Sequence, residues 1–201
     1  MIKEESKITL LIVLTDNQWL YTGLNELIPD VKCIRMGFDE CTLPEYVNSF
    51  EKITVAVDSL LIMTGAWSAL NLCEKEIQRV NIIWLSSSRT GNLSFLKRNG
   101  ELLLNQSLGI TLFRKFLMRA LRFERFRDAS CYTASMTLTT QESFLIKLLI
   151  HGVRIPTISK VTGVNVKMLY RCRSNILKKT DLRHCVFLEY VYYKNSEQLG
   201  L

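Results

Sequence analysis

Short apolar runs recur along the first half of the chain, and most of them are followed by a segment with helical spacing. Runs of this length, bounded by polar residues, are typical of strands buried on both faces. The runs are Ile8–Leu14, Val31–Met36, Ile53–Asp58, Asn81–Ser86 and Glu101–Leu104. Because strands that alternate with helices form parallel sheets covered by helices, the pattern predicts an α/β domain of the (βα)5 kind.

The segments between the runs carry apolar residues three and four positions apart, which is the spacing of one helix face. Helices are therefore expected at Asn17–Ile28, Leu43–Phe50, Ala66–Ile77 and around Phe113–Leu121. The last of these is the clearest, and its basic residues lie largely off the apolar stripe: Arg114, Lys115, Arg119, Arg122 and Arg125.

A second, all-α domain is expected after a change of composition. Periodicity is lost over residues 128–137, where small polar residues collect, so this stretch is interpreted as a linker between domains at 1–127 and 138–201. Thr139 and Glu142 have capping-box spacing ahead of an apolar stripe, and Gly152 suits a helix stop. Three further helices are expected at Pro156–Val161, Val166–Lys179 and about Leu182–Tyr193.

Charge is distributed unevenly between the two ends of the chain. Residues 1–111 hold 10 basic and 13 acidic groups, whereas residues 112–132 hold 6 and 2 and residues 133–201 hold 10 and 4. A basic C-terminal part is expected either to bind a polyanion or to be a solvated surface with no partner.

Several other classes of function lack support in the sequence. No run approaches the roughly 18 apolar residues of a spanning helix, and Glu4 and Glu5 precede the first run, so a cytoplasmic protein with no membrane partner is expected. The six cysteines form no C-x-x-C pair and there are two histidines, so no metal and no cofactor are expected. No Ser/His/Asp set or glycine-rich phosphate loop indicates an enzyme.

The helix expected at Val166–Lys179 has two faces. Val166, Leu169 and Ile176 can pack inward, while the opposite face holds basic and polar residues: Lys167, Tyr170, Arg171 and Ser174. A short helix, Gly163 and this basic helix in succession indicate a helix-turn-helix in roughly Thr137–Glu197, with the basic helix in the major groove. The alternative is a solvated basic face on a helical bundle.

The same segment resembles the LuxR/NarL-type (FixJ-like) helix-turn-helix. The family pattern L-T-x-x-E matches Leu138–Glu142, its glycine matches Gly152, its I-A corresponds to Ile158-Ser159, and its N-I matches Asn175-Ile176. Lys179-Thr180 stands at the family's K-L. The chain departs from the family at Met168-Leu169 for T-V, at Cys172 for a frequent His and at Thr162 for a Leu.

The resemblance implies a four-helix domain that binds double-stranded DNA, with the helix from Leu182 onward pairing two copies. Together with the basic face, it implies these DNA-binding residues: Asn165, Lys167, Met168, Tyr170, Arg171, Ser174, Lys178 and Lys179.

The preceding α/β domain resembles a response-regulator receiver, as in atypical enterobacterial regulators of the Rcs and fimbrial type. Phosphoryl transfer in a receiver needs an acidic pair, an Asp acceptor, a hydroxyl and a lysine. Asp58 stands at the acceptor position and Ser86 or Ser87 at the hydroxyl, but the acidic pair reads Thr15-Asp16 and the sequence after the fifth strand, Leu104-Asn105-Gln106-Ser107, has no lysine. A pseudo-receiver is expected, in which Asp58 caps the next turn.

The resulting interpretation is a phosphorylation-independent, DNA-binding regulator that acts as a homodimer or as a heterodimer with a related regulator, with RNA polymerase as a further contact. Two alternatives stay open at this point. One is an interaction module that docks on another regulator and has little DNA affinity, and the other is a response regulator phosphorylated on Asp58.

Overall fold

A computed structural model describes residues 9–87, 100–122, 138–180 and 185–199 of the chain. The chain forms two compact units. Residues 138–199 belong to the second unit, as do Ile62–Gly65, and most of the earlier described residues belong to the first. The expected linker at 128–137 lies outside the described residues, so the expected domain boundaries stay a prediction.

The first unit is built on a five-stranded parallel sheet with strand order β2-β1-β3-β4-β5. The strands are β1 Thr9–Leu14, β2 Lys32–Met36, β3 Lys52–Asp58, β4 Val80–Ser86 and β5 Leu102–Asn105. Its helices are α1 Gln18–Leu27, α3 Ser68–Glu76 and α4 Ile110–Arg122, and the short helix α2 Leu60–Thr64 begins in the first unit and ends in the second. All five strands lie within two residues of their predicted positions, and the α/β fold class is confirmed.

Two connections differ from the prediction. The helix expected at Leu43–Phe50 is a 3-10 turn at Glu45–Ser49, which Pro44 precedes without a side-chain cap. The apolar residues after Asp58, for which no helix is predicted, form the short helix α2. Both segments are five residues long, which is too short for a helical repeat to show in the sequence.

The core of the first unit lies between the sheet and its covering helices. Residues Leu10–Thr15 of β1 and its continuation are fully buried, as expected for a central parallel strand. The apolar stripe of α4 packs against this sheet through Phe113, Leu117, Ala120 and Leu121. These contacts leave the basic side of α4 in solvent.

The second unit contains α5 Thr140–Ile150, α6 Ile155–Thr162, α7 Val166–Thr180 and α8 Cys185–Leu199. The capping box is present: the Thr139 hydroxyl accepts from the Glu142 amide, and Glu142 Oε2 accepts from the Thr139 amide at 2.7 Å. Residues of α5, α6 and α7 share one core centred on Leu145, Ile158 and the fully buried Ile176.

Among the described residues, none of the helices is both long enough and apolar enough to cross a membrane.

Candidate nucleic-acid interface and the sheet-edge carboxylate

The turn between α6 and α7 fixes how the basic helix leaves the core. Gly163 has φ 70°, a left-handed conformation that side chains with a Cβ rarely adopt. Ser159 Oγ donates to the Val164 carbonyl at 2.6 Å, and Thr162 Oγ1 donates to the Ile158 carbonyl at 2.7 Å. Thr162, where the family has a leucine, therefore uses its hydroxyl to hold the end of α6.

The buried side of α7 is narrow. Leu169 and Ile176 are buried in the shared core, and Cys172 and Leu177 are half-buried against it. The prediction that Val166 packs inward is wrong, because its side chain is 38% exposed at the first position of the helix. Val166 is the residue at which α7 begins, and the first residue of α7 that packs in the shared core is Leu169.

The opposite side of α7 presents an exposed row at spacings of four, three and four residues. The row consists of Lys167, Arg171, Ser174 and Lys178, and we call these residues, with Met168 and Tyr170, the recognition face. From Lys167 to Lys178 the row is about 16 Å long, at roughly 1.5 Å per residue. The first turn of α7 holds no acidic residue, so the positive end of the helix dipole is not neutralised there.

Two polar residues predicted to bind DNA have intramolecular contacts as well. Asn165 precedes α7, and its Oδ1 accepts from the Lys167 amide at 2.8 Å, which leaves its amide group to point outward. Ser174 Oγ donates to the Tyr170 carbonyl at 3.1 Å. Both side chains are exposed, so the predicted DNA contacts of Asn165 and Ser174 stay predictions.

Tyr170 has a neighbour that the sequence interpretation did not include. The guanidinium of Arg173 lies 4.9 Å from the centroid of the Tyr170 ring, within the range of a cation–π contact. Arg173 Nε is buried and has no hydrogen-bond partner in the described part of the chain. The sequence did contain a signal for this contact, because Tyr170 and Arg173 are three residues apart and residues three apart are neighbours on a helix.

Lys179 is held by the domain itself. Its Nζ lies 2.7 Å from Glu142 Oε2, and the Lys179 side chain is 26% exposed. The hydrogen bond from Lys179 holds the pKa of Glu142 below its usual range, although burial acts in the opposite direction. The contact joins the start of α5 to the end of α7, so Lys179 is not included in the recognition face.

The carboxylate of Asp58 lies at the carboxyl end of β3, the central strand of the sheet in the first unit. Asp58 is 2% exposed, its Oδ2 accepts from Thr15 Oγ1 at 2.8 Å, and its Oδ1 accepts from the Leu60 amide at 3.1 Å. Burial raises the pKa of Asp58 above its ordinary value, while these two hydrogen bonds act to lower it. The bond to Leu60 confirms that Asp58 caps the turn into α2.

The other receiver positions at this edge are occupied by groups with local partners. Asp16 is exposed, and its Oδ1 accepts from the Phe38 amide at 3.1 Å. Ser86 is buried, and Ser87 is half-buried. Gln106 Nε2 donates to the Leu85 carbonyl at 3.1 Å. No group of three metal-ligating side chains occurs within the described residues.

Comparison with solved structures shows that the chain has a fold similar to that of the response regulator RcsB over most of its length. Two of the matching structures are of RcsB. A structure of two RcsB dimers bound to two parallel DNAs matches with 14% identity and a TM-score of 0.51, over 92% of this chain and 98% of that one.

RcsB from Salmonella enterica serovar Typhimurium, bound to promoter rprA with a phosphomimetic, matches with 16% identity and a TM-score of 0.51, over 90% of this chain and 97% of that one. At this identity the likeness shows the fold. No protein-family model and no curated protein sequence matches the chain.

Proposed function

We propose that this protein is a sequence-specific DNA-binding transcription regulator whose recognition face enters the major groove. The observation that carries the proposal is the exposed row Lys167, Arg171, Ser174 and Lys178 on the side of α7 opposite the buried Leu169 and Ile176. A helix of this kind fits the major groove of B-DNA. The RcsB structures that share the fold are described as bound to DNA, which supports the proposal.

Each side chain has a role suited to its chemistry. Lys167 and Lys178 neutralise phosphates, and Arg171 donates two hydrogen bonds to a guanine edge. Met168, which is 65% exposed, contacts a thymine methyl group. Tyr170 donates to a phosphate, and Arg173 holds its ring in place from below.

The regulator acts as a dimer that pairs through α8. In this helix Val191 is buried, whereas Val186 is 71% exposed and Tyr193 is 81% exposed. Large exposed apolar and aromatic side chains are enriched at protein interfaces. The paired copies would read two half-sites on DNA. A related regulator could pair through the same surface of α8 to give a heterodimer. In the cytoplasm, the DNA-bound dimer also contacts RNA polymerase.

Selection from a random DNA pool tests the proposal. The full chain should enrich one sequence, and affinity for that sequence should then be measured for Lys167→Ala, Arg171→Ala and the control Lys147→Ala, which removes an exposed cation from α5. Arg171→Ala should weaken cognate binding by about 1–3 kcal/mol and relax base preference at one position. No enrichment, or equal affinities for all three variants, would contradict the proposal.

In the proposed function, phosphorylation of Asp58 does not control DNA binding. Asp58 is buried under the Thr15 hydroxyl, and the neighbouring positions hold Thr15 and Gln106 instead of an acid and a lysine. The chain should therefore take up no label from a small phosphodonor with Mg²⁺. Labelling that disappears in Asp58→Asn would identify it instead as a phosphorylated response regulator.

A further inference from the structure

Helix α4 of the first unit has an exposed side made of cations. We define the α4 basic face as Arg114, Lys115, Arg119 and Arg122, all of which are exposed. The opposite side of the helix is buried against the sheet through Phe113, Leu117, Ala120 and Leu121. The thirteen residues of α4 include no acidic residue, so no charge within the helix offsets the four cations.

Three of these cations, Arg114, Lys115 and Arg122, form no ion pair with another residue that the structure describes. Like charges four residues apart, as at Lys115 and Arg119, disfavour a helix. Arg122 lies in the last turn, where the helix dipole favours a cation, but Arg114 and Lys115 lie closer to the positive end. The exposed cations of α4 are therefore arranged in a way that suits the binding of an anion.

We propose that the α4 basic face binds the phosphate backbone of double-stranded DNA, as a second DNA contact besides the recognition face. The inference rests on the proposed function, because it concerns the DNA that the same chain binds. Its partner is the phosphate chain rather than the bases, so this surface contributes affinity and no sequence preference.

The composition of the face favours DNA over a protein partner. Protein interfaces are depleted of charged residues at their centre, whereas interfaces with DNA are much more positively charged. The centre of the α4 basic face is cationic, and its exposed apolar residues, Ile110 and Leu112, are confined to the first turn.

The length of the face also fits a phosphate chain. Arg114 and Arg122 are eight residues apart, which corresponds to about 12 Å along the helix. One DNA strand carries a phosphate about every 3.4 Å of its axis, so the face spans about three phosphates of one strand.

A salt titration of DNA binding tests the proposal on the full chain. The variant Arg114→Gln, Lys115→Gln, Arg122→Gln keeps residues that favour a helix and removes three charges. The control Arg35→Gln, Lys75→Gln, Arg79→Gln removes three exposed cations elsewhere in the first unit, so the net charge changes equally. Affinity is measured for a selected DNA and for random DNA, and thermal unfolding verifies the fold.

The α4 variant should reduce the slope of log K against log salt by about two to three, since each phosphate contact contributes about 0.9. Its loss of affinity should be equal for selected and random DNA, and the control should keep the wild-type slope. An unchanged slope in the α4 variant, or equal changes in both variants, would overturn the inference. If the inference on α4 fails in one of these ways, weaker binding by Arg171→Ala would still support the proposed function. If the wild-type chain did not bind DNA, both the inference and the proposed function would be contradicted.

Discussion

Replacing Asp58 by Asn should stabilise the first unit. The carboxylate is buried and accepts one hydrogen bond from Thr15 and one from the Leu60 amide. An Asn side chain has the same shape, and its oxygen can accept from Leu60. Its amide group can donate to the Thr15 hydroxyl, which rotates to accept it. The substitution therefore removes a buried charge, keeps the hydrogen bond from Leu60 and reverses the direction of the one with Thr15, whose oxygen also accepts from the Asn17 amide.

The size of the effect follows from these contacts. Burying a carboxylate costs several kcal/mol, which we take as about 5 kcal/mol, and each hydrogen bond to a charged group returns about 2 kcal/mol. The net cost of the charge is about 1 kcal/mol, which corresponds to an increase in Tm of about 4 °C for a domain of this size.

The gain should depend on pH in a defined direction. Burial raises the pKa of Asp58 in the folded protein. A group with a raised folded pKa contributes stability that is present below its unfolded pKa and is lost as pH rises through the folded value. The advantage of Asp58→Asn should therefore be largest at neutral to alkaline pH and should shrink as the wild-type carboxyl becomes protonated in acid.

Urea unfolding of wild type and Asp58→Asn at pH 5 and pH 8, followed by circular dichroism, measures this difference. Thr15→Val is the matched counterpart, because it leaves the charge and removes the hydrogen bond to Asp58, together with the one that Thr15 Oγ1 accepts from the Asn17 amide; it should destabilise by about 1–3 kcal/mol. If Asp58→Asn were destabilising at pH 8, the ionised carboxylate would stabilise the fold. The reasoning that its burial carries a net cost would then be refuted.

Three further substitutions test the second unit by thermal unfolding. Glu142→Ala should cost about 2 kcal/mol, because it removes the capping-box acceptor and the ion pair with Lys179; an unchanged Tm would mean that the pair is not formed. Gly163→Ala should cost about 1 kcal/mol through its left-handed φ alone, since a Cβ there meets no atom within 4 Å. Ile176→Ala should cost about 2–5 kcal/mol by leaving a cavity in the shared core, and a smaller loss would indicate that α7 repacks.

The sequence predicts the sheet well because its signal is local. Four of the strands contain a contiguous apolar run, as expected for strands buried on both faces of a parallel sheet, whereas β2 holds the exposed Lys32 and Arg35. The contact between Thr15 and Asp58 also follows from topology, because neighbouring parallel strands end at the same edge. The short helix α2 and the 3-10 turn at Glu45–Ser49 are not predictable in this way, since neither contains a full helical repeat.

The recognition face was predictable in part. The exposure of Lys167 and Arg171 follows from periodicity on α7, but the exposure of Val166 does not, since it depends on where the core contact of the helix begins. The pairing of Lys179 with Glu142 joins residues 37 positions apart. Such a pairing depends on how α5 and α7 pack, which composition and periodicity do not specify.

The central claim is that α7 enters a groove of DNA, and photo-cross-linking tests it most directly. A photoreactive phenylalanine analogue is placed at Met168 on the recognition face and, as a control, at Phe144, which is exposed on α5. With selected DNA, position 168 should cross-link to bases within the enriched sequence and position 144 should not. Cross-links from position 144 alone, or none from position 168 under conditions in which the DNA is bound, would contradict the claim.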